Sequence, residues 1–247
     1  MLNEKILARL HLEAILPNMK TMAEEDSKAS EIAKGWDGSI YFMAGVSGPR
    51  ATLQITNSSV KVTPGKAGKP DIVLFFPTER LMNNMFKGSG VGFPVPLKGF
   101  TKIKGLTTFM NLAKRMEEIL KGDKAPAELK AKLMLNTVAN AMVIIANNDE
   151  EAKPMLEHKG VTEFSIKDGH AVNIEFTGTK AIGKIGNADA PDLILEFSTP
   201  EIFLDVSDDK IDLMAAVPLG DIAIKGDLHM GEMAALPLLD KIGLYLQ

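Results

Sequence analysis

The hydrophobic and polar positions of this chain follow the same order twice. Each half opens with apolar residues at helical spacing, and these are Leu2, Ile6, Leu10, Leu12 and Ile15 in the first half and Leu129, Leu133, Val138, Met142 and Ile145 in the second. A more polar helix is predicted from about Met19 to Lys34. After Gly35 and after Gly160 the hydrophobic period changes to two, which is typical of strands. Each half is therefore predicted to begin with helix and continue as sheet.

Hairpins are predicted where two alternating runs flank turn residues. In the second half, V-T-E-F-S-I-K and A-V-N-I-E-F flank Asp168-Gly169, a pair that suits a type I′ turn. In the first half, the runs flank the longer loop Ser47-Gly48-Pro49. Third strands are predicted near residues 60–63 and 180–185, and fourth strands over residues 71–76 and 192–197.

The fourth strands have one clearly apolar face. Its members are Ile72, Leu74 and Phe76 in the first copy and Leu193, Leu195 and Phe197 in the second. The opposite face carries Phe75 in one copy and Glu196 at the same position in the other. Phe75 is either an ordinary exposed aromatic residue or a sign that the back of the first sheet is covered.

The segment after each fourth strand predicts a short helix, a last strand and a terminal helix. Thr78 and Thr199 fit helix N-caps, and the fifth strands are predicted over residues 99–104 and 220–225. Gly105 and Gly226 are predicted to end those strands before the terminal helices. Each half thus has the order α–β–β–β–β–α–β–α.

The two halves also align residue by residue at a constant separation of 121. The identical pairs include Pro70/Pro191, Asp71/Asp192, Leu74/Leu195, Phe76/Phe197, Thr78/Thr199, Gly99/Gly220, Lys104/Lys225 and Gly105/Gly226. A separation this long exceeds the unit of a solenoid, about 20–50 residues, and matches a domain. The sequence therefore predicts a tandem duplication with domains at 1–121 and 122–247.

The amino-acid composition argues against several classes of partner and of chemistry. The net charge is −4, with 28 basic residues dispersed among 32 acidic ones, which argues against nucleic acid as a partner. The absence of cysteine excludes disulfides, thiolate catalysis and cysteine-ligated metals. Charges at Glu4, Lys5, Arg9 and Glu13 interrupt the N-terminal apolar runs, unlike a signal peptide. A soluble, cytoplasmic protein is expected.

The residues offer little for catalysis or for a metal site. The four histidines lack the spacing of a metal pair, and solvated or capping roles are predicted for them. The glycine-rich run at residues 88–92 follows a short helix and has no lysine at the position that a phosphate loop requires. No metal, no cofactor and no catalytic residue is predicted. What remains is apolar volume, and sequence alone does not separate a packed core from a cavity with the same lining.

The repeated segment resembles the sterol carrier protein 2 domain family. The resemblance is carried by Pro70-Asp71, Thr78, Leu81, Met85, Gly99 and Ile103-Lys104-Gly105, and again by Pro191-Asp192, Thr199, Phe203, Gly220 and Ile224-Lys225-Gly226. It implies an α+β fold of two tandem domains, each a five-stranded, mostly antiparallel sheet with helices on one face. It also implies a hydrophobic tunnel for fatty acid, fatty acyl-CoA, sterol or isoprenoid-like lipid.

Fifteen apolar residues are the predicted pocket lining. They are Ile72, Leu74, Phe76, Met82, Met85, Phe86, Ile103, Leu193, Leu195, Phe197, Phe203, Ile222, Ile224, Met230 and Met233. The 14 methionines suit a cavity that adapts to flexible ligands, or an ordinary core. Non-catalytic lipid binding or transfer, with at most transient membrane contact, is the leading prediction. The alternatives are a fused pseudo-dimer with side-chain-filled pockets that acts as a scaffold, and an enzyme acting on acyl-CoA through His229 or Lys225.

Overall fold

The chain forms two compact units in the computed structural model, residues 1–124 and residues 125–247. The structure describes residues 3–88, 92–99, 101–122 and 125–246. Leu2 and most of the glycine-rich run at 88–92 lie outside the described residues. Each unit has its own sheet and its own buried core.

Unit 1 begins with three short helices and continues with a sheet. Helix α1 (Glu4–Leu10) runs into a π-helical turn (His11–Ile15), and α2 (Asn18–Glu25) and α3 (Ser27–Ala33) follow. The remaining elements in chain order are β1 (Gly38–Ala44), β2 (Arg50–Thr56), β3 (Ser59–Pro64), β4 (Ile72–Phe76), α4 (Glu79–Phe86), β5 (Val95–Lys98) and α5 (Ile103–Lys121).

Unit 2 has a similar order but opens with one long helix and has an additional short helix before its last strand. It opens with α6 (Ala127–Asn148), which is followed by a 3₁₀ segment (Glu150–Glu157). The remaining elements are β6 (Gly160–Ile166), β7 (Ala171–Phe176), β8 (Ala181–Ile185), β9 (Leu193–Phe197), α7 (Pro200–Ser207), α8 (Leu213–Ala216), β10 (Ile222–Gly226), α9 (Leu228–Met230), a π-helical turn (Gly231–Ala235) and α10 (Leu236–Leu246).

The two sheets have the same topology. The strand order is β3-β2-β1-β4-β5 in unit 1, and unit 2 has the equivalent order β8-β7-β6-β9-β10. In each sheet three strand pairs are antiparallel, and the central pair, β1 with β4 or β6 with β9, is parallel. The predicted α+β class and five-stranded sheets are confirmed, and the sheets are mixed.

The shared aspartate at the start of the fourth strand holds the central parallel pair together. Asp71 Oδ2 accepts a hydrogen bond from the Ser39 backbone N–H at 3.0 Å, and Asp192 Oδ2 accepts one from Val161 at 2.7 Å. The backbone N–H of each aspartate donates to the carbonyl of the same partner residue. Since these bonds satisfy backbone groups at the edge of the ladder, a framework role explains why both copies carry the residue.

One face of each sheet is covered by helices. In unit 1, Phe109 of α5 packs against Phe42 of β1, with ring centroids 5.1 Å apart. In unit 2, α6 packs on β7 and β8. Helix α6 is long and apolar enough to span a membrane by length and composition, and most of its apolar window is buried inside unit 2 as a core helix. The core of each unit therefore lies between its helices and the inner face of its sheet.

The predicted fifth strand of the first copy is wrong. Strand β5 lies at Val95–Lys98, and residues 103–104 already belong to α5. Leu74 pairs with Pro96, whereas its counterpart Leu195 pairs with Ile224. The two copies are therefore offset by 128 positions at Pro96 and Ile224 and, across a β-bulge, by 127 at Lys98 and Lys225, against 121 at the fourth strand.

The glycines of this region therefore do not correspond in the way that the gapless alignment pairs them. A side chain on Gly99 would collide with the Asp71 carbonyl oxygen, and one on Gly226 would collide with that of Asp192. Both glycines have positive φ, +75° and +100°. Gly99 is thus the structural counterpart of Gly226, and the gapless pairing of Gly99 with Gly220 is wrong.

Two local predictions also need correction. The helix predicted over residues 19–34 is broken at Asp26, whose side chain caps α3 by accepting from the Ala29 N–H at 2.8 Å. The hairpin at Asp168-Gly169 is confirmed, but only Asp168 of the pair has positive φ, so the turn is not type I′. The pair with two positive φ angles is Asn57-Ser58, which joins β2 to β3.

Candidate functional site

The candidate site is the inner face of the fourth strand and the helices that cover it, once in each unit. The N-caps that start the covering helices are as predicted, since Thr78 Oγ1 accepts from the Leu81 N–H and Thr199 Oγ1 from the Ile202 N–H, both at 3.3 Å. These caps place α4 and α7 directly after the apolar strands.

Ten of the fifteen predicted lining residues are packed tightly in the interior. They are Ile72, Leu74, Phe76, Met82, Leu193, Leu195, Phe197, Phe203, Ile222 and Met230, and none has more than 4% of its surface exposed. A side chain that lined a water-sized void would show exposed surface there. The interior around these ten residues is therefore filled by neighbouring side chains in this structure.

The other five predicted residues lie at the rim or outside. Met85, Phe86 and Ile224 are half-buried. Ile103 is 69% exposed because it begins helix α5 and does not alternate into a sheet. Met233 lies in the π-helical turn of unit 2 and is 46% exposed. Neither Ile103 nor Met233 joins the ten packed residues in the interior.

A buried polar cluster joins α4 to the first helix of unit 1. His11 Nδ1 lies 3.0 Å from Asn83 Oδ1, and Asn83 Nδ2 donates to the Glu4 carbonyl oxygen at 3.0 Å and to Glu4 Oε2 at 2.7 Å. The two donations orient the amide so that its oxygen faces His11, and Nδ1 is accordingly the protonated nitrogen. We call these three residues the His11 cluster.

His11 is held in its neutral form. Only 4% of its surface is exposed, and burial lowers its pKa from 6.5 to about 4, with the hydrogen bond to Asn83 opposing the change and the nearby Lys87 adding to it. Its ring stacks on Phe86 with centroids 5.0 Å apart. The predicted solvated or capping role is wrong for His11, because the residue lies in the π-helical turn facing α4.

Unit 2 has no counterpart of the His11 cluster. In the repeat alignment Lys132 stands at the column of His11, and the buried Leu204 stands at the column of Asn83. Helix α7 is instead fixed to its sheet by Phe203, whose ring meets that of Phe197 edge-on at 5.1 Å. Entry between helix and sheet therefore breaks the His11 cluster in unit 1, whereas the Leu204 side chain has no hydrogen bond to lose in unit 2.

A cavity of about 220 Å³ lies at the edge of the unit 2 sheet, between α6 and strands β7 and β8. Its lining is Asn136, Ala139, Asn140, Val172, Gly183, Lys184 and Ile185, and it includes none of the fifteen predicted residues. Gly183 occupies the strand position that Val62 holds in unit 1, and a Cβ there would come within 3.2 Å of the Val143 side chain of α6. The volume is below the roughly 300–1,000 Å³ of typical ligand pockets.

The remaining chemistry of the site is sparse. The rings of His158 and His229 meet edge-on at 5.6 Å at the start of the terminal helix of unit 2. Lys225 forms an ion pair with Glu196 at 3.0 Å. Within the described ranges, no group of three histidine or carboxylate side chains is arranged to hold a metal ion.

Comparison with known proteins gives structural matches only, since neither a family model nor a curated protein sequence matches the chain. Sterol carrier protein 2 from Yarrowia lipolytica, in its apo form, is 12% identical, with 47% of this chain and 98% of that chain covered and a TM-score of 0.35. The sterol carrier protein domain 2 of Helicoverpa armigera is 17% identical, with coverages of 47% and 89% and a TM-score of 0.35.

An enzyme is also among the matches. A stereoselective inverting sec-alkylsulfatase from Pseudomonas is 13% identical, and the match covers 51% of this chain and 20% of that chain with a TM-score of 0.30.

Proposed function

We propose that this protein binds and carries a hydrophobic ligand, a fatty acid, fatty acyl-CoA, sterol or isoprenoid-like lipid, without chemically altering it. The observation that carries the proposal is the apolar inner face of each sheet beneath a two-turn helix, α4 or α7. In the proposed function, a ligand enters by displacing that helix. The resemblance of the repeated segment to the sterol carrier protein 2 family supports the same ligand class.

Ligand entry opens an interior that is closed in this structure. An acyl chain of sixteen carbons gains roughly 10 kcal/mol from burial at about 0.8 kcal/mol per CH₂. From this gain the cost of ordering the ligand and of separating the packed side chains is subtracted. The flexible Met82 and Met85 on α4 adapt to the chain at small cost, since their thioethers tolerate many shapes.

The two units are expected to differ in how easily they open. In unit 1, α4 leaves α1 only if the His11 cluster separates, and this exposes a buried amide and a neutral imidazole. In unit 2, Leu204 takes the place of Asn83, so α7 moves without loss of a hydrogen bond there. We expect unit 2 to load first.

Extraction and reloading test the proposal on the full chain. Organic extracts of purified protein are analysed by mass spectrometry, and the delipidated protein is then incubated with palmitic acid, palmitoyl-CoA or a sterol and analysed by native mass spectrometry. Up to two bound molecules per chain are expected. Repeated failure to find or load any of these ligands would refute the proposal.

A matched pair of variants locates the site. Leu195→Trp fills the interior of unit 2 beneath α7, and Leu74→Trp fills the same position in unit 1. Each is expected to remove one bound lipid, with circular dichroism confirming that the sheet is retained. If both variants load as many molecules as the parent protein, the ligand lies elsewhere.

A second candidate function is that of an interaction module whose pockets are filled by side chains. The near-complete burial of ten predicted lining residues favours it. It predicts no ligand in the extract and none after reloading, and the lipid assays above therefore distinguish the two candidates directly.

A further inference from the structure

Strand β5 of unit 1 carries large apolar side chains that face solvent. Phe93 is 82% exposed, Leu97 is 58% exposed, and Val95 and Ile103 are also exposed. Val95 lies opposite the half-buried Phe75, and Leu97 lies at the β-bulge between the residues that pair with Leu74 and Val73. These exposed apolar residues lie just before the edge strand β5, on it, and at the start of the following helix.

Basic residues surround these apolar side chains. Residues 77–104 contain five basic residues, Arg80, Lys87, Lys98, Lys102 and Lys104, and one acidic residue, Glu79, for a net charge of +4. All five basic side chains are exposed. Lys102 pairs with Asp71 at 2.5 Å, and Lys98 donates to the Pro70 carbonyl oxygen. We call the four exposed apolar residues and these five basic residues the β5 surface.

The segment of unit 2 that aligns with residues 77–104 at a separation of 121 has the opposite charge. Residues 198–225 contain six acidic residues and two basic residues, for a net charge of −4. Both basic residues are in ion pairs, Lys210 with Asp205 and Asp208, and Lys225 with Glu196. Strand β10 also differs from β5 in burial, since Ile222 of β10 is buried and all four residues of β5 are exposed. The duplicated segments share a fold and differ by eight charges.

We propose that the β5 surface docks unit 1 on an anionic lipid bilayer. Exposed aromatic and aliphatic side chains enter the boundary between headgroups and acyl chains, and lysine and arginine near them are attracted to anionic lipid. An added protein strand fits this edge poorly, because Pro96 has no N–H to donate and prolines protect edge strands from pairing. Anionic lipid repels the acidic segment of unit 2 for the same electrostatic reason.

Vesicle sedimentation tests the proposal on the full chain. The protein is mixed with vesicles of phosphatidylcholine alone or with 30% phosphatidylserine, at low and high salt. Binding is expected only to the anionic vesicles and is expected to weaken as salt screens the charges. Equal binding to neutral and anionic vesicles, or no binding to either, overturns the proposal.

Two surface variants and one control sharpen the test. Removing two exposed apolar side chains in Phe93→Ser/Leu97→Ser is expected to weaken binding at least tenfold. Lys87→Gln/Lys104→Gln is expected to weaken it about 25-fold, since each basic residue near such a surface contributes about fivefold. The control Met214→Ser/Leu219→Ser removes exposed apolar residues of unit 2 and is expected to bind like the parent protein.

Other occupants give distinct results. If the β5 surface serves a second copy of the chain, analytical ultracentrifugation without vesicles shows a dimer that Phe93→Ser/Leu97→Ser dissociates, and the proposal fails. Docking is measured without any carried ligand, so it succeeds or fails independently of the lipid-loading assays. Unchanged vesicle binding by both surface variants would also exclude this surface.

Discussion

Acid is expected to destabilise unit 1 through His11. The folded protein holds this imidazole neutral with a pKa of about 4, whereas in the unfolded chain the pKa is near 6.5. As the pH falls below 6.5 the unfolded state takes up a proton that the folded state refuses, so stability present above pH 6.5 is lost until the pH reaches about 4. Over the whole window the free energy of unfolding is expected to fall by about 3 kcal/mol, and between pH 7 and 4.5 it is expected to fall by about 2 kcal/mol.

The assay uses the one tryptophan of the chain. Trp36 lies in unit 1 against Gly105 of α5, and its fluorescence therefore reports the unfolding of that unit. Of the four histidines only His11 belongs to unit 1. Urea unfolding at pH 7 and at pH 4.5, followed by fluorescence, gives the free energy of unfolding at each pH.

The matched variant is His11→Phe, which keeps an aromatic ring against Phe86 and does not titrate. It leaves Asn83 Oδ1 without its donor, so at pH 7 it is expected to be less stable by about 1–3 kcal/mol. Its loss of stability between pH 7 and 4.5 is expected to be about 2 kcal/mol smaller than that of the parent. Burial raises the pKa of Glu13, which acts in the opposite direction but equally in both proteins. The same pH dependence in both proteins would refute the reasoning.

Three further predictions concern stability and ligand uptake. In thermal unfolding, Gly226→Ala is expected to lower the stability by more than 2 kcal/mol and Gly220→Ala by about 1 kcal/mol. The reason is that the methyl group added at Gly226 collides with backbone, whereas the one added at Gly220 meets nothing. Equal losses of stability would contradict the corrected pairing of the two copies. Arg115→Ala removes two hydrogen bonds to Asp26, at 2.7 and 2.9 Å, between side chains that are little exposed. It is expected to lower the free energy of unfolding of unit 1 by about 2 kcal/mol in the fluorescence assay. Lys121→Ala, which breaks an exposed ion pair with Glu117, is the near-neutral control. Asn83→Leu, which gives unit 1 the residue of unit 2, is expected to speed palmitate uptake several-fold in stopped-flow measurements; an unchanged rate would show that the His11 cluster does not limit entry.

The sequence predicted the first four strands of each unit because their inner and outer faces differ in polarity. Strand β5 was missed because none of its four residues is buried and two prolines fall in or beside it, so neither alternation nor propensity indicated a strand. The run T-K-I-K at 101–104 resembled a strand more closely, but in the structure it contains a turn and the start of helix α5. Tertiary pairing with β4, which is invisible locally, decided the outcome.

The candidate site was predictable only in part. Alternation identified the apolar inner residues, since burial on one face leaves a period-two pattern. The His11 cluster joins residues 72 and 79 positions apart and has no periodic signature. The break at Asp26 did leave a signal, because Asp-Ser within a polar helix is a typical N-cap. Ile103 was wrongly predicted to line the interior because it was placed in the fifth strand, whereas it begins helix α5.

The displaced fifth strand has a practical consequence for comparing the two halves. The segment between the fourth strand and the terminal helix has 26 residues in unit 1, 77–102, and 30 residues in unit 2, 198–227, with eight residues between α4 and β5 and four after β5, against fourteen between α7 and β10 and one after β10. Mutational data carried from one copy to the other by a gapless alignment would be assigned to the wrong positions between residues 95 and 105. Grafts between the copies should therefore exchange residues 77–102 and 198–227 as whole cassettes, which run from the end of the fourth strand to the start of the terminal helix, and should not be joined inside them.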